Sequence, residues 1–254
     1  GVDIGADEVV MPAPLLYFST VGHNPIPGLS IPVDDADIYA WDGAAYWCVF
    51  DASKAGLPDT ARLNAMAVED QNTFYLGFSP ALTLPGIPAN VTSEDIVRYD
   101  AGSWSLFFDA SDVGISSAGQ DMNDFAILGG SSILMTFKKT VILDNVTVEA
   151  RDIVRFDSTS LGSDTAGTFS LFFDGSDVGL DSNGEVIDAL DVLPDGRILI
   201  STIASASVPG VSAQDEDILA FMPITLGDNT AGNWSLYFDG SNVDLATDNG
   251  EDVD

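Results

Sequence analysis

Four loops carry the residues of this chain best suited to chemistry: "DASK" from Asp51, "DASD" from Asp109, "DGSD" from Asp174 and "DGSN" from Asp239. Carboxylate and hydroxyl oxygens so closely spaced suit two different tasks. They can cap local backbone N–H groups in Asx or Ser turns, or they can surround a hard cation, because Ca2+ takes about six to eight oxygen ligands in flexible geometry. On the second reading Asp109, Asp112, Asp174, Asp177 and Asp239 are the ligands. The spacing is not that of an EF-hand, which places acids at alternate positions and ends on Glu. Recurrence also argues against catalysis, since an active site is normally single and a residue needed by every repeat does the same structural job each time.

Each loop runs on to another oxygen-bearing residue: Asn64, Asp124, Asp188 and Asp254, with Asp3 as the candidate at the start of the chain. If these side chains share one level around an axis, with Asp3 or Asp254 filling the first place, they form a ring for a divalent cation. Converging carboxylates without a cation would repel and raise one another's pKa values.

Other constellations are poorer. His23, the single histidine, lies in "GHNPIPG", which reads as a Pro-rich connecting loop like "TLPG" at Thr83 and "SVPG" at Ser207, and not as part of a Ser-His-Asp triad. One His and one Cys do not make a zinc site. Cys48 stands where other copies carry Leu and is expected to be a buried small hydrophobe. Trp41 and Trp47 depart from the repeat and are ligand-contact candidates. Lys138 and Lys139 depart from it too and are expected on a solvated strand edge, where lysines discourage sheet-to-sheet pairing.

The elements that position these residues recur in order. "YWCVFDASKAGL" from Tyr46, "WSLFFDASDVGI" from Trp104, "FSLFFDGSDVGL" from Phe169 and "WSLYFDGSNVDL" from Trp234 start 58, 65 and 65 residues apart. "DIYAWD", "DIVRYD", "DIVRFD" and "DILAFM", from Asp37, Asp95, Asp152 and Asp217, precede them. Two further series begin at Leu15, Thr73, Ser132 and Arg197, and at Val2, Arg62, Met122 and Val186. The segments are short, rich in β-branched and aromatic residues and bounded by Gly, Pro, Asp or Ser, so they read as strands. No window shows a helical period. Sixteen strands follow, four in each of four repeats.

A four-stranded meander of about 60 residues cannot bury both faces alone, and radial stacking about an axis solves this, which makes the expected fold an all-β, four-bladed β-propeller. The blades run 1–60, 61–120, 121–184 and 185–254 within a single domain. The order resembles the general propeller repeat, an inner strand and "PDG" turn followed by three outward strands. Blade number, not sequence, resembles hemopexin-like domains. The tail after Asp239 matches the segment leading to Asp188, so it is expected to return to blade one or to pair with a neighbouring molecule. Loops leaving the second and fourth strands share one face, which gathers most of the clustered acids. For the acids heading the third strands, hydrogen bonding from blade to blade competes with metal binding.

Of 254 residues, 40 are acidic and 8 basic, a formal charge of −32, which repels nucleic acid and anionic membrane surfaces. No apolar run approaches the ~20 residues that span a bilayer. A 46% hydrophobic composition allows a sizeable core. The composite expectation is a non-catalytic extracellular or cell-surface module that binds Ca2+ on an acidic face and takes a protein or glycan partner, or a second copy through its ends. Its rivals are a hydrolase using axial carboxylates and a self-assembling surface-layer or filament subunit. The acidity also suits a saline habitat without any site.

Overall fold

The computed structural model describes residues 16–20, 26, 28–30, 33–116, 119–129 and 131–243. Blade one contains β1 (Leu16–Phe18), β2 (Ile38–Trp41) and β3 (Tyr46–Phe50). Blade two contains β4 (Leu63–Asp70), β5 (Thr73–Phe78), β6 (Ile96–Asp100) and β7 (Ser103–Phe108). In blade three a side ribbon of β10 (Val141–Leu143) and β11 (Val146–Val148) interrupts the series β8 (Met122–Leu128), β9 (Ser132–Phe137), β12 (Ile153–Ser160) and β13 (Ala166–Phe173). Blade four repeats this plan, with β14 (Ile187–Val192), β15 (Ile198–Thr202), β18 (Ile218–Thr225) and β19 (Ala231–Phe238) flanking the ribbon β16 (Ala206–Val208) and β17 (Val211–Ala213). Each blade is an antiparallel meander, and the inner strand β8 packs against both β4 and β14. The segments from Val2 and after Val243, including the expected closing tail, lie outside the described residues.

The core lies between blades, not within them. One apolar cluster joins Phe50 and Leu57 to Phe74, Leu76 and Trp104, a second joins Phe108 and Ile115 to Phe156 and Phe169, and a third joins Phe173 and Leu180 to Phe221. The fourth, smaller cluster sets Leu16 and Phe238 against Leu199, Ile218 and Ala220 and so brings blade four to blade one. A blade's two faces therefore belong to two different clusters. The result is the four-bladed propeller ring that the period requires.

Aromatic residues mark every seam. The phenyl ring that ends an outer strand meets, edge-on, the aromatic ring in the third strand of the next blade: Phe50 on Tyr99 at 5.1 Å, Phe108 on Phe156 at 5.3 Å, Phe173 on Phe221 at 5.1 Å and Phe238 on Trp41 at 6.4 Å. A third ring from the next blade's outer strand completes each group: Trp104, Phe169, Trp234 and Tyr46. Edge-to-face pairs add about 0.5–1.5 kcal/mol each beyond the area they bury. Trp41, the apparent departure in blade one, occupies the seam position common to all four blades.

Three expectations need adjusting. Nineteen strands occur among the described residues because the loops between second and third strands fold into ribbons, and in blade two a single bridge, Leu82 to Val91, stands in the same place. The ribbons cover the apolar residue after each acidic loop: Leu57 shares a cluster with Leu82 and Val91, Ile115 with Val141 and Val148, and Leu180 with Ala206 and Val208. Lys138 and Lys139 are exposed on the bend after β9, not on a strand edge. Cys48 is half-buried rather than buried, its Sγ donates to the Phe50 carbonyl at 3.2 Å, and burial pushes the thiol up to about 11.

Candidate functional site

The acidic loops are held by their own side chains. The first Asp of each accepts from the Ser two positions on: Ser53 Oγ to Asp51 at 2.8 Å, and Ser111, Ser176 and Ser241 Oγ to Asp109, Asp174 and Asp239 at 2.6 Å. Backbone N–H groups of Ser111 and Ser176 join at 3.1 and 3.0 Å, and Asp109 thereby caps the 3-10 turn Ala110–Val113. This is the turn task, and at Asp51 the second oxygen pairs with the Lys54 ammonium at 2.7 Å.

The second acid acts between blades. Asp112 Oδ2 accepts from Thr165 N–H at 2.8 Å and Asp177 Oδ2 from Thr230 N–H at 2.9 Å, both in the β-hairpin of the following blade. The same threonines accept through Oγ1 from the N–H of Asp109 (2.9 Å) and Asp174 (3.0 Å), while the Gly162 and Gly227 N–H groups donate to the Phe107 and Phe172 carbonyls at 2.8 Å. Two latches result, built on "LGSDTAG" (161–167) and "LGDNTAG" (226–232). Blades one and two have short turns at 42–45 and 100–103, and the preceding loops carry Asn242 and Lys54 instead of Asp. The second acid is present where a latch threonine follows it, a correlation visible in the sequence once the seams are known.

The four acids immediately before the third strands do not bridge blades, although Asp35 does, through Arg62 Nε at 3.2 Å. Asp37, Asp95, Asp152 and Asp217 each accept from the N–H three residues earlier through one oxygen: Asp34, Thr92, Glu149 and Gln214, at 2.8–3.0 Å. The other oxygen takes the N–H just past the outer strand of the same blade: Ala52, Ala110, Gly175 and Gly240, at 2.8–3.0 Å. These staples tie the third strand to the exit of the fourth. Burial raises the Asp95 carboxyl and pushes that of Asp152 up to about 6, against the lowering effect of the backbone donors.

The axial candidates share a distinctive backbone setting. Asn64, Asp124 and Asp188 each fall where the pairing of the inner strand with its neighbour slips, between Leu63 and Ala65, Met122 and Phe125, and Ile187 and Ala189. A bulge re-aims a side chain out of the pleat, and here it recurs at one level in three successive inner strands. Opposite stand Gly77, Thr136 and Ser201: a Cβ at Gly77 would sit 2.9 Å from Asn64 Oδ1, Thr136 Oγ1 accepts from Asp124 N–H at 3.1 Å, and Ser201 Oγ donates to Asp188 at 2.7 Å. Asp124 reaches the next blade, accepting from Leu190 N–H at 2.7 Å. Asn64 Nδ2 donates to the Ser93 carbonyl at 3.3 Å, while its Oδ1 is buried with no hydrogen-bond partner. Asp3 and Asp254 lie outside the described residues, as does His23. Among the described residues no group of three or more His, Cys, Asp or Glu side chains is placed to hold a metal.

Trp41 stacks on Tyr46 at 6.3 Å, and Trp47 is half-buried in β3 opposite Ala40. Neither is shown beside a cavity. A depression of about 240 Å³ at the seam of blades three and four is lined by Asp177, Val178, Pro209, Asn233 and Trp234, whose indole N–H donates to the Val178 carbonyl at 2.9 Å. It is smaller than the ~300–1,000 Å³ of typical ligand pockets. Among the described residues no helix is long and apolar enough to cross a membrane.

Neither a family model nor a curated protein matches the chain. Among solved structures it is similar to YCF48 bound to a D1 peptide, with 12% identity and a TM-score of 0.34, over 81% of this chain and 61% of that one. It is also similar to the extracellular domain of a one-component system from B. thetaiotaomicron, at 14% identity and TM-score 0.32, and to a post-proline cleaving enzyme from Rickettsia typhi, at 10% and 0.31. It covers 24% and 25% of those two chains.

Proposed function

We propose that this propeller is a non-catalytic binding and structural module whose axial column takes a hard divalent cation, Ca2+ fitting best. The observation that carries the reading is the bulge repeated in β4, β8 and β14, which turns Asn64, Asp124 and Asp188 out of their pleats at one level and leaves Asn64 Oδ1 buried without a partner. Asp3 or Asp254 completes the ring on this reading. The commitment of Asp109, Asp112, Asp174, Asp177 and the four staple acids to backbone N–H groups supports a non-catalytic role for those eight positions. A site with few carboxylates belongs to the weak class, about 10⁻⁴–10⁻³ M, found in extracellular modules. The reading therefore includes an extracellular or cell-surface location and a protein or glycan partner.

Thermal melts in Ca2+ test it against NaCl of matched ionic strength. A ligand bound only by the folded state adds about 0.4–1.4 kcal/mol at a one- to tenfold excess over Kd, so millimolar Ca2+ is expected to raise Tm modestly beyond the NaCl control. Asp124→Asn with Asp188→Asn is expected to remove that Ca2+-specific increment. Equal rises in both salts, with no heat on Ca2+ titration, would sink the proposal.

A further inference from the structure

We infer that the outer edge of blade four is a docking site for a β-hairpin of the Leu-Gly-x-x-Thr-Ala-Gly type presented by a partner protein. The chain itself makes this contact twice. The edge of β7 receives the 161–167 turn and that of β13 the 226–232 turn, each through Gly N–H to an outer-strand carbonyl, an Asp N–H to Thr Oγ1, and Thr N–H to a side-chain oxygen three residues past that Asp. Blade four repeats the acceptor face. Tyr237 stands where Phe107 and Phe172 present their carbonyls, Asp239 offers the equivalent N–H, and Asn242 carries a side-chain oxygen in the place of Asp112 and Asp177. The 42–45 turn of blade one is too short to supply the hairpin: Asp42 Oδ1 closes it on the Ala44 and Ala45 N–H groups at 2.9 and 2.8 Å.

Exposure follows from this. Leu236 and Tyr237 are 41% and 42% exposed, whereas the matching Leu106, Phe107, Leu171 and Phe172 are half-buried. The short turn of blade two gives the corresponding edge of β3 no latch, and there Lys54 has replaced the acceptor; an ammonium cannot take a hydrogen bond from a Thr N–H. Blade four alone keeps all three groups without an internal occupant among the described residues. A second copy does not supply the hairpin, because both of its own turns are engaged within the ring. The occupant is a strand-edge ligand of the β-augmentation kind, with affinity from main-chain hydrogen bonds and selectivity from the Gly and Thr positions.

The test uses a backbone-cyclised peptide carrying residues 158–169, "STSLGSDTAGTF", titrated into the isotope-labelled full chain and followed by amide chemical shifts. Saturable shifts centred on Tyr237, Asp239, Ser241 and Asn242 are expected, with at least tenfold weaker binding by a peptide carrying Val in place of the Thr. Asn242→Asp is expected to tighten binding several-fold and Asn242→Lys to abolish it, with melting temperatures unchanged because the residue is exposed. No shifts at millimolar peptide, shifts equal along β3, or indifference to the Thr→Val peptide and to Asn242→Lys would each overturn the inference. A dimer of the chain that excludes the peptide would overturn it as well.

Discussion

Asp152 shows how one carboxylate can be structural and yet sensitive to pH. Its oxygens hold the Glu149 and Gly175 N–H groups, and burial raises its pKa from 3.8 to about 6. Between these values the folded chain keeps a proton that the unfolded chain has lost, so this group's contribution to stability is complete below 3.8 and declines as pH rises through about 6. Asp152→Asn keeps one acceptor oxygen but turns an amide N–H2 toward the other donor, a cost of about 1–3 kcal/mol. Urea melts from pH 4 to 7 are expected to show the penalty of the variant largest at the acid end and shrinking upward. The acid itself was plain in the sequence as a repeated "D-I" pair. Its partners were not, because the backbone N–H it takes at Gly175 belongs to a residue 23 positions away, and N–H groups leave no mark in residue type.

At the scale of the element, strands and their order were legible because each blade needs the same alternation of buried side chains, and the repeat enforces it four times. The ribbons were not, since strands of three residues carry too short a pattern to distinguish from a Pro-rich loop. In blade four the ribbon does leave a mark, on the glycine of the acidic loop. Gly179 has φ +94° and a Cβ there would lie 2.8 Å from Pro209 Cδ in the β16–β17 turn, whereas Gly196, at φ +87°, has nothing within 4 Å. The left-handed conformation costs a non-glycine residue about 1–2 kcal/mol, and crowding against a packed neighbour adds about 1–3 kcal/mol. Gly179→Ala is therefore expected to destabilise the chain clearly more than Gly196→Ala in parallel denaturant melts, and equal losses would show that the ribbon yields freely.

Across the whole molecule the four seams are alike in plan and unequal in strength. Phe173 is fully buried against Phe221, while Phe238 is half-buried and its aromatic partner Trp41 is 6.4 Å away. Phe173→Ala is expected to cost about 3–5 kcal/mol, the usual range for a buried phenyl ring, and Phe238→Ala about 1–2 kcal/mol, as chemical denaturation would measure. The aromatic positions recur in the repeat, but Trp41 read there as a departure, and only its packing on Phe238 makes it the fourth seam ring. The inequality of the seams was not readable, because it arises from turn length and from which neighbour reaches which edge. The latches tie blade two to three and three to four, and among the described residues the two seams that border blade one have none. Under tension or warming the latched blades, two to four, are therefore expected to yield together, at a higher load than a seam held by apolar packing alone.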